Sequence, residues 1–263
     1  MQENIKLIDL IIELVDARIP LASRNPDIDT LGRGKSRIVL LNKSDLADGA
    51  RNKEWADYFS SRGIHVLEVN SKSGGGVKAI HGLVRQACAE KIERDKKRGI
   101  VGRPVRAMVV GIPNVGKSTF INTFAGKACT KTGNRPGITK GKQWIRLDKD
   151  LELLDTPGIL WPKFEDRQTG MLLAFIGSMN DEVIIMEELA CDLLDILGEL
   201  YPGAVSERYH IPVREKAAET LGEIARSRGC LSKGEEYDLV KAANILMDDF
   251  RSGRLGRMTL ERP

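Results

Sequence analysis

The chain has 263 residues, 41% of them hydrophobic and 30% charged, with 41 Lys/Arg against 37 Asp/Glu for a net charge of +4. That is more than one typical domain and enough for a proper core, so one domain of about 165 residues and a smaller one are expected. The four cysteines, Cys88, Cys129, Cys191 and Cys230, form no C-x-x-C pair, so neither a zinc site nor a disulfide framework is signalled. No run of about 18 apolar residues and no signal-like N-terminus occurs, which points to a soluble cytoplasmic protein.

In chain order, Ile8-Asp9-Leu10-Ile11-Ile12-Glu13-Leu14-Val15 has the β-branched, apolar composition of a strand buried on both faces and ends at Asp16-Ala17-Arg18. Asn25-Pro26 reads as a helix start, with Asn25 as cap. A second buried strand, Arg37 to Leu41, runs into Asn42-Lys43-Ser44-Asp45. That tetrad fits N-K-x-D, the guanine-reading loop of GTPases, in which the Asp45 carboxylate accepts from guanine N1–H and the 2-amino group, donors that adenine lacks. An Asn-Lys-Ser-Asp turn is also ordinary loop chemistry. A helix (about 52–62) and a strand (64–69) then lead to Asn70-Ser71-Lys72-Ser73-Gly74-Gly75-Gly76, which resembles the S-A-K-x-G-x-G loop that steadies the base. Backbone N–H groups near Ser71 and Lys72 are expected to meet guanine O6. A long charged helix (about 77–98) and a Gly/Pro linker (99–104) follow.

The apolar run Val105 to Val110 delivers Gly111-Ile112-Pro113-Asn114-Val115-Gly116-Lys117-Ser118-Thr119, which matches G-x-x-x-x-G-K-S/T between a strand and a helix (about 118–125). Glycines let the backbone N–H groups of residues such as Asn114, Val115, Gly116 and Thr119 turn onto phosphates, Lys117 neutralises β/γ charge, and Ser118 binds Mg²⁺. Arg135-Pro136-Gly137-Ile138-Thr139 reads as a first switch, with the Thr139 hydroxyl on Mg²⁺. Two short strands (about 142–147 and 151–154) deliver Asp155-Thr156-Pro157-Gly158, a second switch in which Asp155 holds a Mg²⁺-bound water and the Gly158 N–H touches the γ-phosphate. Lys117, Thr139 and Gly158 are therefore the expected catalytic groups.

All five GTPase elements are present, but the base loops precede the phosphate loop and switches. This is a circular permutation, closed through the 99–104 linker, and it predicts an α/β fold with a mostly parallel sheet and helices on both faces over residues 1–168. Residues 169–263 read as a small all-α domain, with helices near 169–178, 182–200, 213–228 and 236–252 and an apolar stripe at Leu189, Leu193, Leu194 and Leu197.

Charge is uneven: residues 1–169 hold 30 Lys/Arg against 20 Asp/Glu, and residues 170–263 hold 11 against 17. The stretch Lys127 to Arg146 carries six cations and no acid, which suits a polyanion or, equally, a solvated surface. In the helical part, cations gather at Arg226, Arg228 and Lys233 and at Arg251, Arg254 and Arg257. These are candidate RNA phosphate contacts, with solvated loop charge as the alternative.

Asp16-Ala17-Arg18-Ile19-Pro20, Ser23-Arg24-Asn25-Pro26, the phosphate loop, Arg135-Pro136-Gly137-Ile138-Thr139 and the stretch from Asp155 to Phe164 together resemble the YlqF/RbgA family of circularly permuted GTPases, from near residue 5 to the end of the chain. The resemblance implies a factor for late maturation of the bacterial large (50S) ribosomal subunit, activated by that subunit, with a helical domain that helps to bind 23S rRNA. GTP and GDP are the expected ligands, and a monomer without DNA or membrane partners is expected. The family's N-terminal segment containing Pro-Gly-His-Met, which carries its proposed catalytic histidine, has no counterpart in these 263 residues. Ile159 follows the D-x-x-G motif where many GTPases carry a water-orienting glutamine, so slow intrinsic hydrolysis is expected. Asn114 resembles the asparagine that binds K⁺ in related GTPases, which makes K⁺ a second candidate cation; a residue merely fitting the loop turn is the alternative. A nucleotide-gated RNA-binding module with little hydrolysis, or a permuted GTPase acting on another RNA, is the competing function.

Overall fold

The computed structural model describes residues 5–100, 102–128, 143–156, 166–232 and 236–263. Strands β1 (Leu10–Asp16), β2 (Ser36–Asn42), β3 (His65–Val69), β4 (Val105–Val110), β5 (Gln143–Arg146) and β6 (Leu151–Asp155) form one sheet in the order β3-β2-β1-β4-β6-β5. All neighbours are parallel except β5, which pairs antiparallel with β6. Every residue of β1 is buried, as its largely apolar composition suits in a central parallel strand. One face carries two apolar clusters, around Ile11, Met108 and Leu154 and around Val15, Leu41, Trp55 and Phe59. Glu13, 1% exposed, shares this face, and its burial is compensated by Arg24 at 3.3 Å and Arg37 at 2.8 Å.

The helices of this unit are α1 (Asp27–Leu31), α2 (Gly49–Ser60), α3 (Ile80–Ala87), α4 (Ala89–Lys97) and α5 (Lys117–Ala125). Pro26 rather than Asn25 occupies the cap position of α1, and Asn25, one residue earlier, accepts from the Asp27 N–H at 3.0 Å. The long helix expected over 77–98 is instead a 3₁₀ turn (Val77–Ala79) followed by two helices that meet at Cys88. The Ser36 hydroxyl donates to the Ala87 carbonyl at 2.6 Å beside this junction, which i→i−4 bonds from the Cys88 N–H to Val84 and from the Ile92 N–H to Cys88 still span.

The chain divides into two compact units, Met1–Lys163 with Glu261–Pro263, and Phe164–Leu260. The second contains α6 (Arg167–Phe175), α7 (Met186–Leu200), α8 (Ala204–Tyr209), α9 (Ala217–Ser227) and α10 (Leu239–Ser252). Leu189, Leu193, Leu194 and Leu197 of α7 are buried, as the stripe predicted, with Leu221, Ile224 and Leu246 from α9 and α10 also in the core. The sequence reading missed α8. Asp249, 2% exposed, accepts from Arg208 Nε and the Tyr209 hydroxyl and also pairs with Arg254, which ties α8 to α10.

Within the first unit, Glu261 accepts from the backbone N–H groups of Leu21 at 2.7 Å and Ala22 at 3.0 Å. Burial pushes its pKa up to about 7, opposed by those two donors.

Candidate functional site

The loops at the carboxyl ends of β1, β2, β3, β4 and β6 carry the candidate site, where the chain order of the sheet reverses between β1 and β4. After β4 the backbone turns at Asn114, with φ of 59°, and at Gly116, with φ of 101°. A Cβ on Gly116 would lie 2.5 Å from Asn42 Nδ2, and one on Gly111 would lie 2.8 Å from the Leu14 carbonyl oxygen, so both positions need glycine. Helix α5 starts at Lys117, which places Ser118 and Thr119 in its first turn, where exposed N–H groups favour an anion. Lys117 is 7% exposed, and its ammonium donates to the carbonyls of Gly111 at 3.1 Å and Ile112 at 3.4 Å. Burial lowers its pKa to about 8, with the Asp155 charge acting the other way. A buried cation inside a loop with these N–H groups is built to receive phosphate.

Asn42, 2% exposed, laces three loops. Its Nδ2 donates to the Val115 carbonyl at 2.7 Å, and its Oδ1 accepts from the Ser71 N–H at 3.1 Å and hydroxyl at 2.7 Å. The Thr123 hydroxyl of α5 donates to the Ser71 carbonyl at 2.7 Å, a support that sequence reasoning missed. Lys43 bonds the Asn114 carbonyl at 2.9 Å and Asp16 at 3.0 Å. Asp45 is exposed and makes no hydrogen bond to another described residue, leaving its carboxylate available to a base.

The N–H groups expected to meet a base oxygen already have acceptors: that of Ser71 donates to Asn42 Oδ1, and that of Lys72 to Asn70 Oδ1 at 2.9 Å within its own loop. Their first role is therefore to shape the turn, which is closed by the Asn70 N–H on the Gly75 carbonyl at 2.9 Å.

Asp155 ends β6 opposite Val109 of β4 and is 1% exposed. Among the described residues neither of its buried carboxylate oxygens has a hydrogen-bond partner of good geometry, and burial raises its pKa against the pull of Lys117 and of the adjacent Thr156 N–H. Buried acceptors left unmet are costly, and a hydrated divalent cation would satisfy them. Among the described residues no group of three or more His, Cys, Asp or Glu could hold a metal. A hydroxyl and one carboxylate with water completing the shell is the donor set that Mg²⁺ accepts, so Ser118 and Asp155 fit that ion. Thr139, Gly158, Ile159 and Lys233 lie outside the described residues.

Of the cations read as RNA contacts, Arg251 donates to the carbonyls of Phe175 at 2.9 Å and Ala174 at 2.7 Å and pairs with Asp181, while Arg254 pairs with buried Asp249. Internal partners thus occupy the Arg251 guanidinium, while Arg254 uses its Nε on Asp249 and keeps a half-exposed side chain. Arg228 lies over the Tyr209 ring at 4.9 Å and donates to the Arg208 carbonyl. Arg226 and Arg257 are exposed. His81 packs on Phe124, 4.8 Å between centroids, and faces Asp148 at 3.5 Å; His65 opens β3, and His210 ends α8 with φ of 55°. No described helix is long and apolar enough to cross a membrane.

A family model described as 50S ribosome-binding GTPase matches residues 106–218. The chain is 44% identical over 262 residues to Ribosome biogenesis GTPase A of Bacillus cereus, covering 99% of this chain and 88% of that protein. It is 30% identical over 263 residues to the protein of the same name from Thermotoga maritima, covering 100% and 89%. Among solved structures, GDP-bound TM YlqF superposes with a TM-score of 0.72 at 28% identity, covering 100% of this chain and 98% of that chain. GNP-bound YlqF from T. maritima gives 0.71 at 28% identity, covering 100% and 96%.

Proposed function

We propose, from the premise that this chain belongs to the ribosome biogenesis GTPase A (YlqF/RbgA) family of circularly permuted GTPases, that it acts late in assembly of the large (50S) ribosomal subunit. The chain is a GTPase of ribosome biogenesis, converting GTP to GDP and phosphate. Hydrolysis is slow alone and stimulated by the 50S particle. The protein works as a cytoplasmic monomer, with 23S rRNA as its contact in the particle.

The observation that carries this reading is Asn42, which joins the guanine loop, the Ser71 loop and the phosphate loop into one site although they lie some 30 and 70 residues apart in the chain. Within that site Asp45 reads the guanine edge, and backbone N–H groups from Asn114 to Thr119 cradle the phosphates. Lys117 exchanges its carbonyl partners for β/γ oxygens, a favourable trade because an ionic partner offsets the burial that now lowers its pKa. Ser118 and Thr139 would hold Mg²⁺ directly and Asp155 would hold it through a bound water, and the ion would supply positive charge to the phosphates. Gly158 supplies an N–H to the γ-phosphate. Asn114 would hold K⁺, a cation that would supply positive charge where other GTPases use an arginine.

Single-turnover GTP hydrolysis with and without purified 50S particles tests the reading. A rate raised at least tenfold by the particle is expected. Stimulation by naked RNA of any sequence to the same extent, or none by the particle, would overturn it.

A further inference from the structure

The two ends of the bridge between the base loop and the phosphate loop have unusual backbones. Lys43 and Asn114 have φ of 57° and 59°, a left-handed conformation that non-glycine residues adopt at a cost and keep only when their surroundings impose it. The Lys43 ammonium supplies one constraint by donating to the Asn114 carbonyl at 2.9 Å. A lysine on four rotatable bonds does not hold such a pose through one carbonyl. What holds it from the other side is Asp16, fully buried at the end of β1, whose Oδ2 lies 3.0 Å from Lys43 Nζ.

Asp16 is itself fixed from three directions. Arg18, 1% exposed, grips it with Nε on Oδ1 and Nη2 on Oδ2, each at 2.8 Å, and its backbone N–H reaches Oδ1 at 3.1 Å. The Asp16 N–H donates to the Ser23 hydroxyl at 2.9 Å, which in turn donates to the Ile19 carbonyl at 2.6 Å. The two cations hold the Asp16 carboxyl well below the usual carboxylate range in spite of its burial. One buried carboxylate therefore serves two cations, Arg18 as a rigid fork and Lys43 as a point charge aimed across to the phosphate loop.

We propose that Asp16 and Arg18 are positioning residues for the nucleotide site, acting through Lys43 to keep the guanine loop and the phosphate loop in mutual register. The proposal rests on the GTP-binding reading above. It distinguishes a role in ligand binding from that of a plain buried strut, because a strut would stabilise the fold without regard to Lys43.

The test is a double-mutant cycle of Asp16→Asn and Lys43→Met, read by equilibrium binding of GDP to the full chain, with thermal unfolding in parallel. Lys43→Met, at a side chain one-quarter exposed, is expected to weaken GDP binding about tenfold. Asp16→Asn is expected to cost a similar factor in the Lys43 background and less than about twofold in the Lys43→Met background. If Asp16→Asn alone unfolds because Arg18 is stranded, Asp16→Asn combined with Arg18→Met removes both buried charges and replaces it in the cycle. Unchanged affinity in Lys43→Met, or the same loss from the Asp16 change in both backgrounds, would overturn the proposal. Failure of the wild type to bind GDP would instead defeat the functional reading, so the two failures are distinguishable.

Discussion

Replacing Asn42 with alanine tests whether one amide holds the site together. The substitution deletes three hydrogen bonds and leaves the Val115 carbonyl and the Ser71 N–H stranded, while the Ser71 hydroxyl is free to rotate. Each stranded buried group costs about 1–3 kcal/mol, so the two together give about 2–6 kcal/mol. Water entering the space left by the amide meets part of the demand, which brings the figure to about 3 kcal/mol. The bonds join loops and leave the sheet ladders untouched, so the cost falls on local opening of the site before it falls on global unfolding. A loss of about 3 kcal/mol corresponds to roughly a hundredfold weaker GDP binding. Calorimetric titration of GDP into wild type and Asn42→Ala measures this, and circular dichroism monitors whether the fold persists. GDP affinity within threefold of wild type in a folded mutant would refute the reasoning, because it would mean that the three loops are registered without Asn42.

Three further outcomes are expected. Asp45→Asn moves preference from guanine to xanthine nucleotides with the fold intact, because the exposed carboxylate is no longer there to accept two donors; unchanged GTP affinity would sink this reading. Hydrolysis is faster in K⁺ than in Na⁺ at matched ionic strength, and Asn114→Ala abolishes the difference; equal wild-type rates in the two salts would rule out the cation role. Glu261 makes the first unit pH-sensitive, since burial raises its pKa from 4.5 to about 7. A carboxyl raised in the folded state contributes stability that is fully present below pH 4.5 and lost as pH rises through about 7, so unfolding free energy declines across that window. Denaturant titrations from pH 4.5 to 8 should show the decline in wild type and a flatter profile in Glu261→Gln, and identical profiles would contradict it.

The chemistry of the site is legible in the chain because its recognition elements are local. A phosphate cradle needs particular residue types within one strand-to-helix turn, and Gly111 to Thr119 carries them in one contiguous stretch. The same holds for the buried strands: a largely apolar, β-branched stretch such as Leu10 to Val15 marks a strand buried on both faces. The order of the motifs along the chain also reveals the permutation, which the strand order β3-β2-β1-β4-β6-β5 accommodates with parallel pairing between β1 and β4.

What the tertiary structure alone decides is where polar groups find partners, since that depends on which distant residues meet. Nothing near Asn42 in the chain indicates that its amide reaches Val115 and Ser71, and nothing near Ala87 indicates that the Ser36 hydroxyl reaches its carbonyl. Arg251 looks like an exposed cation in the sequence, yet carbonyls at Ala174 and Phe175 and the carboxylate of Asp181 claim it. Glu261 is legible as no more than a charge near Pro263, until the fold brings it to the N–H groups of Leu21 and Ala22. The physical reason is common to all four. Apolar burial is non-directional and leaves its record as a pattern along the chain. A buried hydrogen bond or ion pair is directional and short, so it exists only where the folded backbone brings donor and acceptor within about 3 Å of each other.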